Sequence, residues 1–202
     1  MARKTKAEAE RTRQRILKAA LDLFVAQGYE RTTVEDVARR IRLTKGAVYW
    51  HFKSKPDLLA ALVADMSARQ AARLAAELPP PDTLDGLTAH FVARARLVAA
   101  TPAARKFFHT MMRLDWPSGR FEGIKQRLRQ LETGPFYIIE KTLTKLRQAG
   151  QLRAEADIAA VTAVLGSLWL GLINAELGRC FETDLGDAVA FGFEAVLAAI
   201  RV

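Results

Sequence analysis

Cysteine, histidine, proline and glycine-rich loops are all scarce in this chain of 202 residues. Its single cysteine, Cys180, excludes an intramolecular disulfide and fits a reducing compartment. Cys180 itself reads as a small packing residue, with a redox sensor as the alternative. The three histidines, His51, His90 and His109, stand at positions that suggest no catalytic triad and no metal-ligand spacing. No Gly-rich phosphate loop is present either. The chain therefore does not read as an enzyme, and neither a metal nor a cofactor is expected. No segment alternates apolar and polar residues between hairpin turns, and no repeat recurs at a fixed period. Both absences point to an all-α fold. The opening MARKTKAEAERTRQR lacks the apolar run of a signal peptide. The longest strongly apolar stretch, Ile158 to Leu177, carries Asn174 and Glu176 near its end and reads better as a buried helix than as a membrane span. A cytoplasmic protein with no membrane partner is the expectation.

What the chain does have is positive charge concentrated at one end. The formal net charge is +9, and residues 1–55 hold 14 Lys/Arg against 6 Asp/Glu, a balance of +8. The remaining 147 residues hold 17 against 16, a balance of +1. A basic head on a nearly neutral body is the footprint of a phosphate binder, with a merely solvated basic surface as its rival. At 50% hydrophobic and 26% charged residues, the chain is expected to fold around a sizeable core. The reading divides it into a head, residues 1–55, and a helical body, residues 56–202.

The head is organised by Thr33 to Lys55, TVEDVARRIRLTKGAVYWHFKSK. Val34, Val37, Ala38 and Ile41 fall at helical spacing, and Thr33 with Asp36 makes a variant capping box. A second helix start follows at Thr44, from which Ala47, Val48 and Phe52 can pack back on the first helix. This is helix-turn-helix geometry, in which the second helix enters a major groove. Thr44, Lys45, Gly46, Tyr49, Trp50 and His51 offer a hydroxyl, a cation, a close backbone approach and polar rings at the groove-facing end. Tyr49 and His51 serve equally well as packing residues on this evidence of spacing alone.

Around that unit the sequence predicts a basic arm over residues 1 to about 10 and a helix from about Glu8 to Gln27, stopped by Gly28. A further helix begins at Ser54-Lys55-Pro56 and runs to about Leu78, where three prolines end it. Helices are then expected from about Thr83 to Ala100 and from Thr101-Pro102 through Leu114. Arg120 to Gln148 is periodic but should break or kink at Gly134-Pro135. The last two helices are expected from about Asp157 to Arg179 and from about Asp184 to Ile200.

The run RTRQRILKAALDLFVAQGYERTTVEDVARRIRLTKGAVYWHFKSKPDLL resembles the DNA-binding head of the TetR family of transcriptional repressors. Its opening, with YWHFK, is most similar to the branch of AcrR-type repressors of multidrug efflux pumps. The resemblance covers about residues 11 to 60, and TKGAVYWHFKSK is its most specific part. It implies that Thr44, Lys45, Gly46, Tyr49 and His51 contact DNA, with Lys55 and Thr33 on phosphates. One departure stands out: the family usually has glycine in the turn at the position of Arg42. A non-glycine residue with positive φ there costs on the order of 1 kcal/mol, unless the turn differs. If accepted, that cost places another cation near DNA.

The body is matched in architecture only. The resemblance implies a helical ligand-binding domain whose last two helices make a homodimer on a double-stranded DNA operator. Leu165, Trp169, Leu172 and Ile173 in one of these helices, and Phe193, Val196 and Leu197 in the other, form stripes that require cover on more than one side and are the candidate interface. Aromatic and sulfur side chains cluster at Phe107, Phe108, Met111, Met112 and Trp116, and again at Phe136 and Tyr137. Ordinary core packing accounts for them; the resemblance turns them into candidates for the wall of an adaptable apolar pocket. Glu140, one turn from Phe136 or Tyr137, offers a charge for a cationic effector or an exposed pair with Lys141 or Lys145. The expected function is a ligand-responsive repressor of an efflux system. The alternatives are a sensor of fatty-acyl or other metabolites and a DNA-binding protein without a ligand.

Overall fold

The computed structural model describes residues 6–202, which form ten α-helices. These are α1 (Lys6–Gln27), α2 (Val34–Arg40), α3 (Lys45–His51), α4 (Lys55–Glu77), α5 (Leu84–Ala100), α6 (Pro102–Met112), α7 (Glu122–Arg129), α8 (Pro135–Gln148), α9 (Ile158–Leu177) and α10 (Leu185–Ala198). A 3-10 turn, Gly119–Phe121, precedes α7. Among the described residues the only β pairing is an isolated bridge between Leu152 and Arg201, so the fold is all-α as expected. The first five residues of the expected basic arm lie outside the described residues, and Lys6 to Glu10 already belong to α1. The predicted break falls where Gly134-Pro135 requires it: α7 and α8 are separate helices, with Gly134 the N-cap and Pro135 in the first turn of α8.

By proximity the chain divides into two compact units, residues 1–65 with 106–125, and residues 66–105 with 126–202. In the first, α1 supplies Ile16, Leu17, Ala20 and Phe24, all buried, and α2 supplies Val34, Val37 and Ala38. The single fully buried residue of α3 is Val48, and Phe52 closes its C-terminus. Leu58, Leu59 and Leu62 of α4 are buried in the same unit. Residues 106–125 complete it through rings: Phe24 meets Tyr29 at 5.1 Å, Tyr29 meets Phe121 at 5.5 Å, and Phe121 meets Trp116 at 5.7 Å between centroids. Such contacts add to the area that each ring removes from water.

The turn between α2 and α3 resolves the question raised by Arg42. Its φ is +58°, in the left-handed region. The Arg42 amide donates to the Arg39 carbonyl at 3.2 Å and the Leu43 amide to the Ala38 carbonyl at 2.9 Å. This is a Schellman closure with arginine where glycine would be free of strain. Arg15 of α1 holds the same corner by donating from Nη2 to the Ile41 carbonyl at 3.0 Å.

In the second unit α5 lies chiefly against α10, while α9 packs on both α8 and α10. The centre is aromatic: Phe91 of α5 sits 4.8 Å from Phe193 and 5.3 Å from Trp169, and all three side chains are sealed from solvent. Helix α9 is long and apolar enough to cross a membrane by length and composition, but Leu165, Trp169 and Ile173 are fully buried in the protein's own core. Close approach of α9 and α10 depends on Gly192, where a Cβ would come within 2.6 Å of Leu168 Cδ2.

Two substitutions test these accounts by urea denaturation. Arg42→Gly should raise stability by about 1 kcal/mol through release of backbone strain. Phe91→Ala should lower it by about 3–5 kcal/mol because the aromatic centre cannot collapse onto the void. A destabilised Arg42→Gly protein would contradict the strained-turn account.

Candidate nucleic-acid interface

Helix α3 is only seven residues long, and what it offers outward follows from what it buries. Thr44 is its N-cap, its hydroxyl oxygen accepting from the Ala47 amide at 3.1 Å, which leaves the hydroxyl proton available for another acceptor. With Val48 facing inward, the ring of Trp50 is left 73% exposed and that of Tyr49 41% exposed. Gly46 is also exposed, and nothing lies within 4 Å of where its Cβ would be. His51 is half-buried, edge-on to Trp50 at 4.5 Å between centroids.

The cations of the site differ in availability. Lys45 is exposed and forms an ion pair with Glu35 of α2, while its ammonium stands 5.6 Å from the Tyr49 ring centroid. The hydrogen bond to Glu35 raises the Lys45 pKa, and the hydrogen bond from Lys45 lowers that of Glu35. A phosphate or base approaching Lys45 therefore displaces Glu35, a residue that no helical spacing links to Lys45. Lys55 is placed differently from a free phosphate ligand. Its Nζ donates to the Tyr29 and Glu30 carbonyls at 3.0 and 3.1 Å and lies 4.3 Å over the Tyr29 ring. Desolvation lowers its pKa, and burial together with Glu30 pushes the Tyr29 phenol up to about 12. Two of its three donors are thus committed within the unit. Thr33 is committed as well: it caps α2, donating from its hydroxyl to Asp36 at 2.8 Å and accepting from the Asp36 amide at 3.1 Å. Arg42 is exposed beside the site.

The residues expected to line a pocket are drawn from both units. Phe107, Phe108 and Met111 are buried and Met112 and Trp116 partly so, all in the first unit. The Trp116 indole donates to the Met111 carbonyl at 2.8 Å. Phe136, Tyr137 and Glu140 belong to the second unit, where Phe136 and Glu140 are exposed and Tyr137 half-buried. An open groove of about 720 Å³ in the second unit is lined by residues such as Thr88, Val92, Arg96, Ala190 and Glu194, and by none of those eight.

The residues expected at a dimer interface divide too. Leu165, Trp169, Ile173, Phe193 and Leu197 are buried within the chain's own fold, where they have almost no area left to offer a partner; Leu172 and Val196 are partly exposed. The apolar groups that α9 and α10 turn outward include Val164, 51% exposed, and Phe191, 78% exposed. Sequence spacing shows that both helices need cover on two sides, but not which side the chain covers itself.

Residues 16–62 match the family described as bacterial regulatory proteins, tetR family. The regulator SrpR of Pseudomonas putida is 58% identical over 64 residues, which are 32% of this chain and 30% of that one. The match therefore spans less than a third of that relative's length. The transcriptional repressor BepR of Brucella suis is 26% identical over 174 residues, 85% of this chain and 83% of its own. Among solved structures, the complex of SmeT with triclosan superposes with a TM-score of 0.78 at 27% identity, covering 95% of this chain and 92% of that one. These relatives are named as transcriptional regulators or repressors, in agreement with the expectation that the chain is not an enzyme. Residues 16–62 thus match the tetR family of bacterial regulatory proteins, and the chain as a whole is similar to the repressors BepR and SmeT.

Proposed function

We propose that the chain is a ligand-responsive transcriptional repressor of the cytoplasm, holding a palindromic double-stranded operator as a homodimer and released by a small lipophilic effector. The observation that carries this reading is the outward row of α3, where Tyr49 and the far more exposed Trp50 stand beside Lys45, Gly46 and Thr44 on a helix pinned by Val48. Exposed rings and a hydroxyl suit base edges and phosphates in a major groove. His51 and Arg42 flank the row. Thr33 and Lys55 act mainly by holding α2 and the start of α4 in place, and Lys55 has one donor left for a phosphate.

An efflux system is the proposed target. SmeT is the repressor of the Stenotrophomonas maltophilia multidrug efflux pump SmeDEF, and the resemblance of the head points to the same branch. Residues 1–55 form the DNA-binding part and 56–202 the sensing and dimerising part. Helix α4 carries the signal, since one unbroken helix, Lys55–Glu77, begins at the reading head and continues into the body. By linkage, an effector that weakens operator binding is itself bound more weakly when operator is present, by the same factor. The dimer uses the apolar residues turned outward, Val164, Leu168, Leu172, Phe191 and Val196. A second reading, a sensor of acid-bearing metabolites such as fatty-acyl compounds, is favoured by the buried cation Arg94.

Fluorescence anisotropy with duplex DNA from upstream of the protein's own gene tests the core of this proposal. Tight binding is expected there over random DNA, and equal affinity for both contradicts it. Lys45→Ala should weaken binding and reduce the salt slope by about one. Trp50→Ala should weaken binding without loss of stability, because the ring is mostly in water already. In sedimentation the wild type should be a dimer and Phe191→Asp a monomer; a monomeric wild type contradicts the proposed assembly.

A further inference from the structure

Arg94 is the least expected residue of the body. It is only 4% exposed, on the face of α5 that turns inward. Its Nη2 donates to the Thr133 carbonyl at 2.9 Å and the guanidinium carbon lies 6.0 Å from the Trp169 ring centroid. Among the described residues its Nε is buried without a partner, and no carboxylate acts on it. Burial lowers its pKa to about 10, so it keeps its charge at neutral pH. A carbonyl and a ring face are partners for a cation, but neither carries the charge that would neutralise it.

Two other polar groups of the second unit repeat the pattern. His90 stands one turn earlier on α5, and its Nε2 is buried and unpartnered. Burial, and then the charge of Arg94, hold its pKa down to about 4, so the imidazole is neutral at neutral pH, able to donate from one nitrogen and accept at the other. On α9, Thr162 lies two turns before Trp169 on the same face, and its buried hydroxyl also lacks a partner. Buried polar groups are nearly always satisfied, and a bidentate guanidinium is shaped for a planar pair of oxygens. By contrast Glu140, the acid expected to draw a cationic effector, is exposed.

We infer that the body recognises an organic anion, an apolar or aromatic molecule bearing a carboxylate or an acid of like shape, with Arg94 as the group that pairs with it. This rests on the reading of the chain as an effector-responsive regulator. It reverses the charge expected of the effector. Phe91, Trp169 and Phe193 supply the aromatic surroundings in which such an ion pair gains strength from a low local dielectric.

The test is calorimetry on the full-length protein with two matched pairs of probes, decanoate against decanol and naphthoate against naphthylmethanol. At least one acid should bind about tenfold or more tightly than its alcohol. Arg94→Met should abolish that preference and Arg94→Lys should keep part of it. Equal or weaker binding of both acids to the wild type, or no binding of either at millimolar concentration, overturns the inference, whether or not the variants fold. A preference that survives in a folded Arg94→Met protein overturns it too. Operator release is measured separately. An acid that binds through Arg94 but leaves DNA bound supports the anion site and counts against effector control. Release by the neutral alcohols, with no preference for the acids, leaves effector control standing and overturns the anion site.

Discussion

Two helices of seven residues cannot be stable by themselves, and that constraint governs the head. Everything that fixes α2 and α3 must come from tertiary contacts. Val34, Val37, Ala38, Val48 and Phe52 are consequently spent on burial, and Thr33, Asp36 and Thr44 on capping. The turn between the helices is closed by hydrogen bonds firm enough to hold an arginine at positive φ. Once those residues are committed inward, the outward row of α3 is determined: a hydroxyl, a cation, a bare glycine and two exposed rings. The proposed interface is the remainder left by the packing problem.

Position decides what each cation does. Lys45 is in water and paired only with an exposed carboxylate, so exchange for phosphate costs little. Lys55 is tied to two carbonyls and a ring and has become part of the framework. Arg94 is sealed in a core and lacks any counterion among the described residues. The basic balance of the head describes the first kind well. It says nothing of the third, because one buried arginine disappears in a body whose charges nearly cancel.

Local signals were legible in proportion to how local they are. The capping box at Thr33, the N-cap at Ser54 and the break at Gly134-Pro135 each follow from residues within one turn of each other, and each stands where the sequence placed it; the helix starts expected at about Thr83, Asp157 and Asp184 prove to be N-caps. Long-range pairings were not legible. Nothing in the spacing of Tyr29 and Phe121 says that residues 106–125 share a unit with the head, nor does any pattern link Lys45 to Glu35. In α9 and α10 the apolar stripe is wide, so periodicity could not separate Leu165 and Trp169, which the chain buries itself, from Val164, which it leaves in water. Aromatic clusters are ambiguous for a related reason: the aromatic content of Phe107 to Trp116 is equally suited to a core or a pocket.

The three tryptophans supply a direct readout of the central claim that α3 is the surface that meets DNA. Trp50 stands on α3 in water, Trp116 donates to a carbonyl in the first unit, and Trp169 is buried in the second. In an NMR spectrum of the indole N–H groups, titration with duplex from the protein's own upstream region should shift and broaden the Trp50 signal much more than those of Trp116 and Trp169. Saturable binding of that duplex with the Trp50 signal unmoved would contradict the account.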